Sequence, residues 1–154
     1  MTEVRFYHLE HKTLMDVLPR FLLTTIERGQ RAVVEVGSEE RVEALAADLW
    51  TFSEEVFLPH GTKADGSPDL QPVWLTCSND NPNGSTVRFF VDGATPGSVA
   101  GLDRAIVIFD GADEIALAQA REDWKRLSRE GLDISYWQQD EQGRWVNRAQ
   151  RKPG

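Results

Sequence analysis

One cysteine, Cys77, occurs among 154 residues, which excludes an internal disulfide framework and a cysteine-rich zinc site. No run of 18 apolar residues is present, so no segment reads as a membrane-spanning helix. The first twelve residues, MTEVRFYHLEHK, lack the basic start and unbroken apolar core of a secretory signal, and a cytoplasmic location is expected. Histidine is scarce too: His8, His11 and His60 fall in no HExxH pattern. Cations are outnumbered, 17 Lys and Arg against 25 Asp and Glu, for a net charge of −8. Phosphate neutralisation supplies most non-specific affinity for nucleic acid, so a general DNA or RNA binder is disfavoured. The deficit is uneven, however. Residues 1–111 hold 17 acidic and 9 basic side chains, whereas residues 112–154 hold 8 of each. Any cationic work is expected after residue 112.

What is present suits one globular domain, since domains run to roughly 100–200 residues. Val4 to Leu9 is a β-branched and aromatic run that predicts a first strand. Thr13 and Asp16 form an approximate capping box for a helix whose apolar face is Leu14, Val17, Leu18, Phe21, Leu22 and Ile26. Pro19 falls inside that pattern and implies a kink or a later start. Arg31 to Val36 predicts a second strand, and Ser38, Glu39 and Glu40 open a second helix that ends near Trp50. Strand, helix, strand, helix at this spacing is the pattern of a parallel α/β sheet. A Gly-, Pro- and Asp-rich loop over 61–72 follows, then strands over 73–77 and 86–91 and a loop over 93–101. Arg104 to Asp110 is the clearest buried strand, and a helix over 113–130 comes after it. Residues 132–138 form a further strand onto which 142–146 can fold back, and 149–154 are expected to fray as a basic tail behind a single domain, 1–148.

Catalytic constellations are absent. The apolar run ending in Asp110 resembles the magnesium-holding strand of P-loop nucleotide hydrolases, but no glycine loop with Lys-Ser or Lys-Thr accompanies it. Gly37-Ser38-Glu39-Glu40 would set negative charge where phosphate must lie. A nucleotide-binding or hydrolytic domain using Asp110 and the strand ends is therefore the alternative reading. Cys77 has no basic neighbour to activate it, and no Gly-x-Ser-x-Gly occurs. No cofactor and no metal site is expected.

Two stretches look like binding surfaces. Leu49-Trp50-Thr51-Phe52 with Val56-Phe57-Leu58-Pro59-His60 concentrates apolar groups at a helix end, fit equally to form an interface or to close the core. On the last helix Arg121, Lys125 and Arg129 recur every four residues, with Trp124 and Arg126 beside them. A cationic row next to an aromatic suits a short acidic peptide with an apolar end, and it equally suits a solvated face, since Glu122, Asp123 and Glu130 intervene. A direct single-strand binder stacking bases on Trp124, Trp137 and Trp145 is a third possibility.

Phe6-Tyr7-His8-Leu9, Gly29 to Val34, and above all Leu49-Trp50-Thr51-Phe52 with Phe57-Leu58-Pro59-His60-Gly61 resemble the chi subunit family of bacterial DNA polymerase III holoenzyme. The 105–109 strand and the Arg121-Glu122-Asp123-Trp124-Lys125 helix stand where that family has its last strand and helix. The resemblance implies a mostly parallel Rossmann-like sheet with helices on both faces and a P-loop-like topology without a nucleotide site. It implies a non-catalytic, clamp-loader-associated accessory subunit that binds the acidic, phenylalanine-ended C-terminal tail of single-stranded-DNA-binding protein and meets DNA only indirectly. The implied tail-binding residues are Arg121, Trp124, Lys125 and Arg129; those facing a psi-like subunit are Trp50, Phe57 and Pro59. Where the family often has a lysine, one turn before Arg121, this chain has Leu117, and Arg144 or Arg148 is the expected compensation.

Overall fold

The computed structural model describes residues 2–53 and 58–152. Along the chain come β1 (Glu3–Leu9), α1 (Leu14–Glu27), β2 (Ala32–Glu35), α2 (Glu39–Thr51), β3 (Val73–Thr76), β4 (Val87–Phe90), β5 (Arg104–Asp110), α3 (Glu114–Ser128), β6 (Asp133–Gln139) and β7 (Trp145–Arg151). Seven strands form one sheet in the order β3-β2-β4-β5-β1-β6-β7. The first six run parallel, and β7 returns antiparallel on β6. Parallel strands are covered on both faces, which is why Ala32-Val33-Val34 and Ala105 to Phe109 are nearly unbroken apolar runs.

Two cores result from strand alternation. On one face α1 and α2 bury Leu18, Leu22, Leu45 and Leu49 against Tyr7, Val34, Leu75, Phe89, Ile106 and Ile108. On the other, α3 buries Ala120 and Leu127 against Phe6, Phe90, Val107, Phe109 and Ile134. The α/β class with helices on both faces is thus as expected. Among the described residues, no helix is long and apolar enough to cross a membrane.

Three expectations need correction. Helix α1 starts at Leu14 and carries Pro19 inside it, buried among Val17, Leu18 and Leu22. The hydrogen bond that Pro19 cannot donate is offset by that burial, and the Asp16 carboxylate fixes the helix start by accepting the Thr13 N–H at 2.8 Å. At the other end of the chain the returning strand is β7, Trp145–Arg151, later and longer than 142–146. Ala149, Gln150 and Arg151, expected to fray, pair with Tyr136, Ser135 and Ile134. Asp140 builds the turn before β7: its carboxylate accepts the N–H groups of Gln142 and Arg144, each at 2.9 Å.

The crossovers diverge beside β1. From β1 the chain leaves through α1 on one face, and from its neighbour β5 it leaves through α3 on the other. The crevice at such a divergence is where α/β sheets commonly take ligands. Here the His8 imidazole occupies it, so close to Gly111 that a Cβ there would lie 1.8 Å from Nε2. Asp110 caps its own turn by accepting the Ala112 N–H at 2.9 Å. The alternative reading based on Asp110 finds the crevice filled by the chain's own side chain.

Candidate peptide-binding face

Helix α3 is fixed at its start by Asp113, whose carboxylate accepts the N–H groups of Ile115 at 3.0 Å and Ala116 at 3.2 Å. Glu114 in the first turn and Lys125 and Arg126 in the last complement the helix dipole. Trp124 is half-buried and stands edge-on to Phe6 and Tyr136, with ring centroids 5.7 and 5.9 Å away. Its ring is thus locked from below by the core, which preorganises its outer edge.

Beside that ring lies a shallow pocket of about 270 Å³ lined by Trp124, Lys125, Ser128, Arg129 and Arg151. It brings together three of the four expected tail-binding residues. The fourth, Arg121, is one turn earlier, outside the lining, and its charge acts on a different pair: His8 Nδ1 and the Tyr136 hydroxyl, 2.6 Å apart. Burial pushes the His8 imidazole below its usual range, and Arg121 adds to that effect against the pull of Glu10. Burial likewise raises the Tyr136 phenol.

Asp123, Lys125 and Arg126 are already engaged. The buried Asp123 carboxylate accepts from Gln119 Nε2 at 3.1 Å and faces Arg126 at 3.5 Å; burial raises its pKa. Arg126 also donates to the carbonyls of Pro96 and Gly97, tying the 93–101 loop to the helix. Lys125 makes an exposed pair with Glu122 at 3.7 Å. Among the described residues, Arg121, Arg129 and Arg151 have no carboxylate partner. Neither expected substitute for the missing lysine serves the pocket: Arg144 pairs with Asp140 at 3.2 Å, and Arg148 is the unpaired residue of a bulge. Arg151 was missed because nothing in its polar surroundings signalled a strand.

The second candidate surface is only partly assembled. Trp50, 53% exposed, ends α2 and leans on His60, with centroids 4.7 Å apart. Leu58 and His60 are buried, and the His60 nitrogens stand 2.8 Å from the Leu58 carbonyl and 3.1 Å from that of Ala46. Pro59 is half-buried, and Phe57 lies outside the described residues. So Leu58 closes the core while Trp50 stays outside it. Of the three tryptophans proposed as a stacking platform, Trp124 lies on the α3 face, whereas Trp137 and Trp145 pack with Tyr7 on the opposite face. The sheet separates them, so they form no common platform.

A family model described as DNA polymerase III chi subunit, HolC, matches residues 1–135. The chain belongs to the DNA polymerase III chi subunit family. A curated relative of the same description, the probable DNA polymerase III subunit chi of Rickettsia prowazekii (strain Madrid E), is 28% identical over 91 residues. That match covers 59% of this chain and 55% of the relative, so the chain is matched to about half the relative's length. In this chi-family chain the match ends within β6, so α3 lies inside it and β7 outside.

Proposed function

We propose that this chain is a non-catalytic accessory subunit of the DNA polymerase III holoenzyme, associated with the clamp loader. Through α3 it holds the acidic C-terminal tail of single-stranded-DNA-binding protein. The observation that carries this reading is the gathering of Lys125 and Arg129 around the core-locked ring of Trp124. A carboxylate-rich peptide gains charge-assisted hydrogen bonds there, and a terminal aromatic gains an apolar wall. Arg121, without a carboxylate partner among the described residues, extends the cationic row one turn toward His8 and Tyr136. The net charge of −8 leaves contact with DNA to the coating protein. Trp50 and Pro59 offer the surface for a psi-like subunit where one is made.

The test is titration of a fluorescent acidic peptide ending in Asp-Ile-Pro-Phe against the same peptide lacking the last phenylalanine. Binding should need the phenylalanine and weaken as salt rises. Arg121→Glu and Arg129→Glu should each reduce affinity by about tenfold or more, as loss of charge-assisted bonds of ~1.5–3 kcal/mol implies, with circular dichroism unchanged. Equal binding of both peptides, or of wild type and both variants, would refute the assignment.

A further inference from the structure

We infer that the C-terminal strand β7 is a working part of the acidic-peptide site, with Arg151 as its affinity-determining residue; this rests on the peptide-binding reading of α3. The pocket at Trp124 is lined by Lys125 and Ser128 of α3, by Arg129 at the end of that helix, and by Arg151 of β7. Two separate elements thus aim cations at one cleft. Arg129 and Arg151 have no carboxylate partner among the described residues. The acidic group nearest to Arg151 in the ladder, Asp133, accepts instead from Gln150 Nε2 at 3.1 Å. Ser128 Oγ, at the same cleft, is buried without a hydrogen-bond partner among the described residues.

The strand is built to put Arg151 there. From the turn, Gln139 opposes Trp145, Gln138 opposes Val146 and Trp137 opposes Asn147; then Arg148 is skipped, and Tyr136 opposes Ala149 and Ile134 opposes Arg151. Ile134 and Tyr136 belong to the α3 face. Opposed residues share a face, so Ala149 and Arg151 do as well. Without the bulge, the register set by the turn would pair Ile134 with Gln150 and turn Arg151 to the α1 face. One extra residue therefore delivers a guanidinium to the tryptophan. This cation comes from beyond the family match, which ends at residue 135, and from a different element than the helix row. A peptide held there meets cations from two elements, its carboxylates within reach of Arg129 and Arg151.

The experiment uses the full chain and the Asp-Ile-Pro-Phe peptide, with wild type, Arg151→Glu, Arg151→Lys and Arg148→Glu compared by fluorescence anisotropy. Arg148→Glu makes the same change in net charge outside the pocket. We expect Arg151→Glu to weaken binding roughly fivefold or more, Arg151→Lys to recover most of it, and Arg148→Glu to have little effect. Peptides with one aspartate at a time replaced by lysine should include one that binds Arg151→Glu better than the parent peptide does. If Arg151→Glu matches Arg148→Glu while Arg129→Glu still weakens binding, the α3 reading stands and the role of β7 is overturned. If wild type binds no peptide, both fall. Should Arg151→Glu loosen β7, thermal melts reveal it, and the charge-swapped peptides decide: no regain on any of them overturns the contact.

Discussion

Replacing Arg88 with Met should unfold this protein far more readily than any surface change, and the reason is local. Arg88 lies mid-strand in β4 with its side chain 8% exposed. Its Nη2 and Nε donate to Glu35 of β2 at 2.6 and 3.2 Å, and the same guanidinium donates to the carbonyls of Asp80 and Ser78, each at 2.7 Å. Met fills similar space but removes the charge and every donor. The Glu35 carboxylate, 16% exposed, is left without its cation, and two turn carbonyls lose their donor. Breaking a buried pair from one side costs about 3–5 kcal/mol, and the partial exposure of Glu35 places this case near 3. For a domain of this size that lowers Tm by roughly 6–12 °C. The double variant Arg88→Met/Glu35→Leu removes the orphan charge as well, so it should be more stable than Arg88→Met alone, by about 1–2 kcal/mol. Urea unfolding of the four-member cycle measures this directly. Peptide binding at α3 should be unaffected at native conditions, because β5 and β1 separate β4 from β6, a distance of about 15 Å. A double variant as unstable as the sum of the singles would refute the argument, for it would mean that the pair contributes no coupling.

Two further predictions follow from groups whose titration the fold shifts. His8 is held neutral by burial beside Tyr136, Phe109 and Arg121, against the opposing charges of Glu10 and Asp110. Its folded pKa is lowered, so the unfolded chain takes the proton first, and stability falls as pH drops below about 6.5. His8→Gln should be less stable than wild type at pH 8 yet lose less on going to pH 5.5; parallel losses in urea midpoints would contradict this. Cys77 donates its thiol hydrogen to Glu39 at 3.2 Å, and that carboxylate raises the thiol pKa. Glu39→Gln should therefore speed alkylation of Cys77 by iodoacetamide at pH 8 several-fold, and an unchanged rate would show that the contact does not govern reactivity.

Much of this molecule was readable because burial leaves a repeating signature. Ala105 to Phe109 is apolar at every position since both faces of β5 are covered, and α3 declares its start through Asp113 and its inner face through Ala120 and Leu127. What escaped has a different cause. Strand β7 is an edge with exposed residues from Asn147 to Arg151, so it carries no alternation, and its bulge would have broken the alternation anyway. Its partner β6 makes it a strand; its own composition does not. Arg88 escaped for a related reason. A cation in a strand says nothing of its partner until the strand order places β2 beside β4, 53 residues apart in sequence. The same logic divides the tryptophans, whose types suggested one stacking surface until α3 took Trp124 to one face and alternation along β6 turned Trp137 to the other. Helix periodicity alone could gather Lys125 with Arg129 and Trp124 with Arg121 and Ser128, since neighbours at three and four residues share a face. No periodicity could add Arg151, because its place depends on a turn, a register and one inserted residue. Half of a two-element pocket is therefore visible in the sequence when the element that carries it is a helix. The other half becomes visible only through the pairing that positions it.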